Sequence, residues 1–382
     1  MKRMGWTAVL LALLVGLLPG NVRAAGPEVA AKSAVLMDVQ TGTVLCEQNP
    51  HEKLAPASVT KVMTMLLIME AIDAGKISWD DRVTASEAAA SKGGSQIYLK
   101  VGETMTVSDM VKSIAVSSAN DCACAMAELI AGSEEAFVQM MNDRAGELGM
   151  NDTHFVNCTG LDDDPAAKEH RTCAYDIALM SRELLKNHPD IKKYTTIWMD
   201  TVRGGAFGLA NTNKLVRFYS GCTGLKTGFT SGAGYCLSAS AQREGLELIA
   251  VVMGSDTSQN RFAACKSLLD YGFANFALYT PQLQDPAAVP VKLGQEDAVT
   301  AMPAGETALL VDKGQRNAIQ TEVTLEESVT APVSQGQRLG TLTVKAGERV
   351  LTQVPLVAEK PVTRLTTLDL MVQILRQICM AG

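Results

Sequence analysis

The string Pro56-Ala57-Ser58-Val59-Thr60-Lys61 puts a lysine three residues after a serine, at the mouth of the apolar run Val62 to Ile72. A serine hydroxyl is a weak nucleophile that needs a neighbouring base. Positions three apart share a helix face, so Lys61 is in reach of Ser58. A helix start also offers unpaired backbone N–H groups that favour negative charge at the serine. To accept a proton Lys61 must be neutral part of the time, and burial or nearby cations push a lysine that way. Ser-x-x-Lys alone is a common string.

Two further segments raise its significance. Ser117-Ser118-Ala119-Asn120-Asp121 falls between two expected helices, where a short loop aims side chains into a cleft. Residues 224–236, GLKTGFTSGAGYC, place Lys226-Thr227-Gly228 on a strand dense in small residues, which lets something approach the backbone closely. Taken singly, Asn120 or Asp121 would serve as a helix cap and Lys-Thr-Gly as a turn. Chance does not readily supply all three in this order.

The elements that must position them follow from periodicity. Residues 33–49 alternate apolar and polar around Gln40-Thr41-Gly42, a hairpin signal. Helical patterns cover 59–73, 107–116, 122–131, 134–148 and 174–186. Strands return at 221–230, and 234–242 pairs with 246–254 around Arg243-Glu244-Gly245; a final helix is expected over 258–278. Strands at both ends with helices between imply an α+β domain whose antiparallel sheet joins the ends, here residues 25–280. Composition shifts near Pro281, and residues 286–358 read as a small all-β domain of sandwich type. Residues 364–380 turn helical again, with Leu365, Leu368, Met371, Val372, Leu375 and Ile378 on one face. That amphipathic helix suits a membrane interface; docking on the β domain or a partner is the plainer alternative.

The chain has 382 residues, 47% of them hydrophobic, and a formal charge of −7. It is large enough for two domains. Without a basic block, a nucleic-acid partner is not expected. Met1-Lys2-Arg3, the apolar stretch Trp6–Leu18 and the small residues before Ala25 form a secretory leader, residues 1–24, with cleavage before Ala25. Its apolar core is too short to span a bilayer. Losing Lys2, Arg3 and Arg23 takes the charge from −7 to −10. The nine cysteines are odd in number and scattered, several inside apolar segments, which suits mostly free buried thiols.

The trio Ser58-x-x-Lys61, Ser118-x-Asn120 and Lys226-Thr227-Gly228 resembles the signature of penicillin-binding proteins and serine β-lactamases. The likeness is greatest to the low-molecular-mass D-alanyl-D-alanine carboxypeptidases. It extends to residues 33–45, 154–163, 173–184, 211–215 and 225–241, and to the β domain and tail, so it covers nearly the whole mature chain. The resemblance implies a β-lactamase/transpeptidase-like fold without cofactor or metal. It implies attack by Ser58 on the bond between the last two D-alanines of a peptidoglycan stem peptide, with Lys61 as base. Ser118 would relay a proton to the leaving nitrogen, and Asn120 would meet the substrate backbone. Lys226 and Thr227 would bind the terminal carboxylate beside Gly228. The backbone N–H groups of Ser58 and Phe229 would form the oxyanion hole. β-Lactams would acylate Ser58 and leave slowly. Action outside the cytoplasmic membrane, with the tail holding the enzyme to its outer face, is the expected setting.

Within that superfamily a class A β-lactamase needs a Glu-x-x-Leu-Asn motif. Glu183-Leu184-Leu185-Lys186-Asn187 lacks leucine at the required place and reads as an exposed helix face. Thr159 stands where some relatives carry a histidine, which leaves the deacylation helper open. The histidines at 51, 154, 170 and 188 show no metal spacing. His154 and His170 read as structural, and Asp162-Asp163-Asp164 as a solvated loop. A non-catalytic peptidoglycan-binding or penicillin-sensing protein of the same fold is the competing reading; covalent labelling by penicillin, compared with Ser58→Ala, separates the two.

Overall fold

A computed structural model describes residues 26–283 and 287–372. The expected leader with its cleavage site, residues 373–380 of the expected tail helix, and Cys379 lie outside the described residues.

The first part of the chain runs β1 (Ser33–Asp38), β2 (Val44–Gln48), α1 (Lys61–Asp73), α2 (Val107–Ser117), α3 (Asn120–Ala131), α4 (Glu134–Glu147), α5 (Ala174–Asn187), β3 (Cys222–Thr230), β4 (Gly234–Arg243), β5 (Leu246–Ser255) and α6 (Ser258–Asn275). The five strands form one antiparallel sheet in the order β2-β1-β5-β4-β3. Strands from the two ends of the segment thus pair at its centre, as the α+β reading expects. Alternation sorts the side chains of the central strands. Val35, Met37, Ile249, Val251 and Met253 join the core under α1–α5, while Leu36, Leu248, Ala250 and Val252 face α6. β5 is buried along its whole length, as a central strand covered on both faces must be.

Helix α1 is apolar on nearly every side and is buried from Lys61 to Met69. A helix without a polar face belongs inside, and its position at the centre of the helical layer follows. The amphipathic helices around it start at side-chain caps: Thr106 Oγ1 accepts from Asp109 N, and Ser133 Oγ from Ala136 N. Two short ribbons absent from the sequence reading, Arg82–Thr84 with Thr104–Thr106 and Met199–Val202 with Phe207–Ala210, flank the helices.

The final helix was expected to reach 278 but ends at Asn275. Phe276–Tyr279 is instead a strand, β6, which pairs with β9 (Leu309–Asp312). A four-residue apolar run has no decisive period, and the partner strand decides its conformation. Beyond it lie β7 (Ala288–Lys292), β8 (Ala298–Pro303), β10 (Ile319–Leu325), β11 (Val329–Thr330), β12 (Arg338–Ala346) and β13 (Arg349–Ala358). They hydrogen-bond in the order β10-β12-β13-β8-β7-β11 around a core of Val289, Val299, Leu339, Leu342 and Leu356. This region is all-β, as expected. The β6–β9 pair joins it to the larger unit, as do Lys186–Glu306 at 3.0 Å and Tyr279 Oη to Thr321 Oγ1 at 3.0 Å. Helical backbone begins at 367 rather than at the expected 364, because Arg364 bridges to Gly294 and Leu365 N donates to Leu293 O in the β domain; it is described to 372. Among the described residues no helix is long and apolar enough to cross a membrane. Cys122, Cys124, Cys158, Cys173, Cys222, Cys236 and Cys265 are free thiols.

Candidate active site

Ser58 lies in a 3-10 turn, Ala57–Thr60, that runs directly into α1. The turn is held from several sides. Ala57 has a left-handed φ of 47°, a strained position for a residue with a Cβ. Thr60 donates its hydroxyl to the Ala57 carbonyl at 2.8 Å and contacts His170 Nε2 at 2.8 Å. His170 Nδ1 in turn accepts from Val156 N at 3.2 Å. Burial drives the His170 pKa down from 6.5 to about 4, so the ring is neutral near neutral pH. His170 acts as a brace for the serine turn, in keeping with the structural reading of that residue.

Lys61 is wholly buried, and its Nζ lies 2.9 Å from Ser58 Oγ and 2.7 Å from the carbonyl oxygen of Thr159. Desolvation lowers its pKa from 10.5 to about 7, against the opposing pull of Cys158 and Asp121. A large fraction of the amine is therefore neutral at physiological pH, which is what a proton acceptor requires. Thr159, the position flagged for lacking a histidine, contributes its backbone oxygen as an anchor for this amine.

The second motif forms the turn between α2 and α3. Ser118 ends α2 in the left-handed conformation, φ 64°, and Asn120 opens α3. Asn120 donates its Nδ2 to Gly93 O at 2.7 Å, and its backbone N to Ser95 O at 2.7 Å. The Asp121 carboxylate accepts from the backbone N–H groups of Ile97, Leu99 and Cys122. Asn120 and Asp121 thus string residues 93–99 along the cleft, a larger task than capping a helix. Ser118 Oγ and Asn120 Oδ1 are buried and have no hydrogen-bond partner among the described residues. Buried polar atoms seldom stay unpaired, which sets these two apart from the satisfied groups around them.

The third motif occupies β3 at the edge of the sheet. A Cβ on Gly228 would lie 2.6 Å from Pro56 O and 3.0 Å from Val59 N. The small residue is what allows β3 to lie against the serine turn. Lys226 is buried, with Nζ 2.9 Å from the Thr227 carbonyl oxygen, and Thr227 Oγ1 meets Thr212 Oγ1 at 2.6 Å. Burial first, then Lys61 and Arg261, hold the Lys226 pKa well below 10.5. Phe229 is half exposed and stacks on Tyr235 with ring centres 4.3 Å apart.

Arg261 escaped the sequence reading. It lies on the buried face of α6, donates Nη1 to Gly228 O at 3.1 Å and to Cys236 O at 3.3 Å, and leaves Nε without a partner. Its signal was available: Arg261, Ala264, Cys265, Leu268 and Leu269 share one helical face, and an arginine on an apolar stripe needs a reason. Lys61, Lys226 and Arg261 therefore converge behind one serine. Glu183, by contrast, is engaged by Arg144 Nη2 at 2.6 Å, within a helix–helix ion pair.

Residues 21–257 match the family described as D-alanyl-D-alanine carboxypeptidase. The chain belongs to that family. Residues 282–364 match the penicillin-binding protein 5 C-terminal domain. Among characterised relatives, the D-alanyl-D-alanine carboxypeptidase DacF of Bacillus subtilis is 45% identical over 336 residues, 86% of this chain and 85% of that protein. The crystal structure of penicillin-binding protein 5 from Haemophilus influenzae has a TM-score of 0.74 at 29% identity, covering 89% of this chain and 99% of the other. Penicillin-binding protein D2 of Listeria monocytogenes, solved in an ampicillin-bound form, aligns with 65% of this chain at 33% identity and a TM-score of 0.59. A carboxypeptidase of this family is a serine peptidase acting on peptidoglycan peptides, and the fold and chemistry expected from the motifs agree with that membership.

Proposed function

We propose that Ser58 is the nucleophile of this D-Ala-D-Ala carboxypeptidase and Lys61 its general base. The observation that carries the reading is the 2.9 Å approach of a fully buried amine, with a pKa near 7, to the Ser58 hydroxyl. Ser58 attacks the carbonyl of the penultimate D-alanine of a stem peptide; Lys61 takes the hydroxyl proton. Charge on the carbonyl oxygen falls to the backbone N–H groups of Ser58 and Phe229. Ser118 passes the proton to the leaving nitrogen, and D-alanine departs. Asn120 offers its amide to the substrate backbone. Lys226, Thr227 and Arg261 receive the terminal carboxylate, whose negative charge favours the Lys226 cation that burial disfavours. Gly228 keeps the strand close to the serine turn. Water then hydrolyses the ester.

In this reading the leader is removed before Ala25, residues 25–280 carry catalysis, and residues 286–358 form a separate β domain. The tail of residues 364–380, read as amphipathic from its sequence, holds the enzyme peripherally at the outer face of the cytoplasmic membrane. β-Lactams acylate Ser58 because they present the same carbonyl and carboxylate.

Incubation of pure protein with labelled penicillin, wild type against Ser58→Ala, tests the nucleophile. The wild type takes one covalent label and the variant none; an unlabelled wild type removes the reading and favours a non-catalytic sensor. Release of D-alanine from a diacetyl-Lys-D-Ala-D-Ala peptide separates the peptidase from a β-lactamase. A chain ending at Pro361 that fractionates with membranes as the full chain does would count against the tail as anchor.

A further inference from the structure

His51, Asp152 and Cys173 meet outside the cleft, with one ligand atom from each within 4.8 Å of the others. His51 Nδ1 and Cys173 Sγ both face Asp152 Oδ2, at 3.0 Å and 3.9 Å. The second carboxylate oxygen is already taken: Lys53 Nζ lies 3.3 Å from Oδ1. Nitrogen, oxygen and sulfur therefore crowd one side of the carboxylate. Four-coordinate zinc has ligand bonds near 2.0–2.3 Å, which spaces its donor atoms roughly 3.2–3.8 Å apart. The two separations from Asp152 Oδ2 bracket that range, and the third pair, His51 with Cys173, lies within 4.8 Å.

We infer that these three residues form a binding site for a zinc-class divalent ion, with water as the fourth ligand. The donor set suits borderline-soft zinc and disfavours magnesium or calcium, which take oxygen ligands. His51 is largely exposed and gives the ion a way in, while Cys173 is buried and closes the inner side. On coordination the Cys173 thiol loses its proton to solvent, and the imidazole binds through neutral Nδ1 with its proton on Nε2. The surrounding shell is already ordered. Cys173 caps α5 by accepting from Asp176 N, and the Asp176 carboxylate accepts from Asp152 N and Thr153 Oγ1. The second cluster of suitable groups, Glu70, Glu183 and His188, lacks this character: Arg144 pairs with both glutamates there.

The site lies where three segments are already stitched together. Leu54 bridges to Thr172, and His154 to Arg171. Residue 51 leads in a few steps to Ser58, and residue 152 leads to Thr159. A bound ion would clamp the approaches to both without touching the reacting atoms.

The test uses full-length protein, stripped with a chelator, reduced with a phosphine, and titrated with zinc or cobalt(II) alone. The expected result is one ion per chain, with a thiolate-to-cobalt charge-transfer band. Cys173→Ser retains a helix cap but abolishes that band, and both it and His51→Ala weaken zinc binding about 100-fold or more, since even outer-shell changes cost 10–100-fold. Zinc raises the Tm of the wild type and not of His51→Ala. Penicillin labelling of both variants reports that they remain folded. The proposal is overturned if the wild type binds no stoichiometric ion, or if either substitution leaves binding unchanged.

Discussion

Gly160 lies against Ala57 so closely that a Cβ at position 160 would sit 1.8 Å from the Ala57 carbonyl oxygen and 2.7 Å from Thr60 Oγ1. Its φ of +82° adds a second reason for glycine. The loop that carries Thr159 is thereby pressed against the turn that carries Ser58. Gly160→Ala should destabilise the protein by at least about 2 kcal/mol, from overpacking and left-handed strain together. Gly75 supplies the control, since it has φ +67° but open space around it. Gly75→Ala should cost only the conformational part, about 1 kcal/mol. Urea unfolding of both variants separates clash from strain; equal losses would mean that the contact relaxes freely.

The pH dependence of acylation should follow Lys61. With a folded pKa of about 7, lowered by burial, the amine is protonated and inactive well below that value. The rate of penicillin acylation should then fall about tenfold per pH unit on the acid side and level off above neutrality. Stopped-flow labelling from pH 5 to 9 checks this. A profile that keeps rising through pH 9 would mean that Lys61 retains an ordinary lysine pKa.

How much of this site was legible in the sequence depends on what each residue had to announce it. Ser58 and Lys61 stand out because a cation follows a serine by one helical turn at the mouth of an apolar run, and Ser118, Asn120 and Lys226 join them through the resemblance that the three motifs carry in order. The hairpin of β1 and β2, and the strong helices, follow from alternation and period. Three things were not legible. Phe276–Tyr279 is too short to have a period, so only its pairing with Leu309–Asp312 makes it a strand. The left-handed turn at Ala57 belongs to a residue that gives no conformational signal, and it exists because Gly160, Thr60 and Gly228 surround it. For Arg261 the sequence shows only a charge on an apolar stripe; that it meets Gly228 O, 33 residues earlier, is decided by helix-on-sheet packing.

His170 should make the fold acid-sensitive. Its pKa is about 4 in the folded chain and 6.5 when exposed, so the unfolded chain binds the extra proton first. Its contribution is complete above pH 6.5 and is lost as pH falls from there toward 4. The full loss is on the order of 3 kcal/mol. Comparing urea unfolding of wild type and His170→Asn at pH 7 and pH 4.5 isolates this part from the carboxylates. The variant should be less stable at pH 7 and show a shallower slope; parallel slopes would remove His170 as the source.

Arg261 should matter in proportion to the charge on the substrate's C-terminus. A charge-assisted hydrogen bond is worth about 1.5–3 kcal/mol, so Arg261→Lys should lower kcat/KM by roughly 10- to 100-fold on a free-acid peptide. The C-terminal amide of the same peptide offers no anion, and wild type and variant should treat it alike. Equal losses on acid and amide would assign Arg261 to holding β3 and β4 through Gly228 O and Cys236 O.

Ser118 separates stability from chemistry most sharply. Its hydroxyl oxygen is buried without a partner among the described residues, which is a cost to the fold rather than a gain. Replacing a buried, unsatisfied hydroxyl with hydrogen should leave stability unchanged or raise it by about 1 kcal/mol. If Ser118 carries a proton from Lys61 to the leaving nitrogen, Ser118→Ala should nevertheless lose about 10²- to 10⁴-fold in peptide turnover, the range for a general acid–base group. Thermal unfolding and D-alanine release on the same preparation read both quantities. A variant that becomes less stable while keeping its turnover would reverse the assignment and make Ser118 a structural residue of the α2–α3 turn.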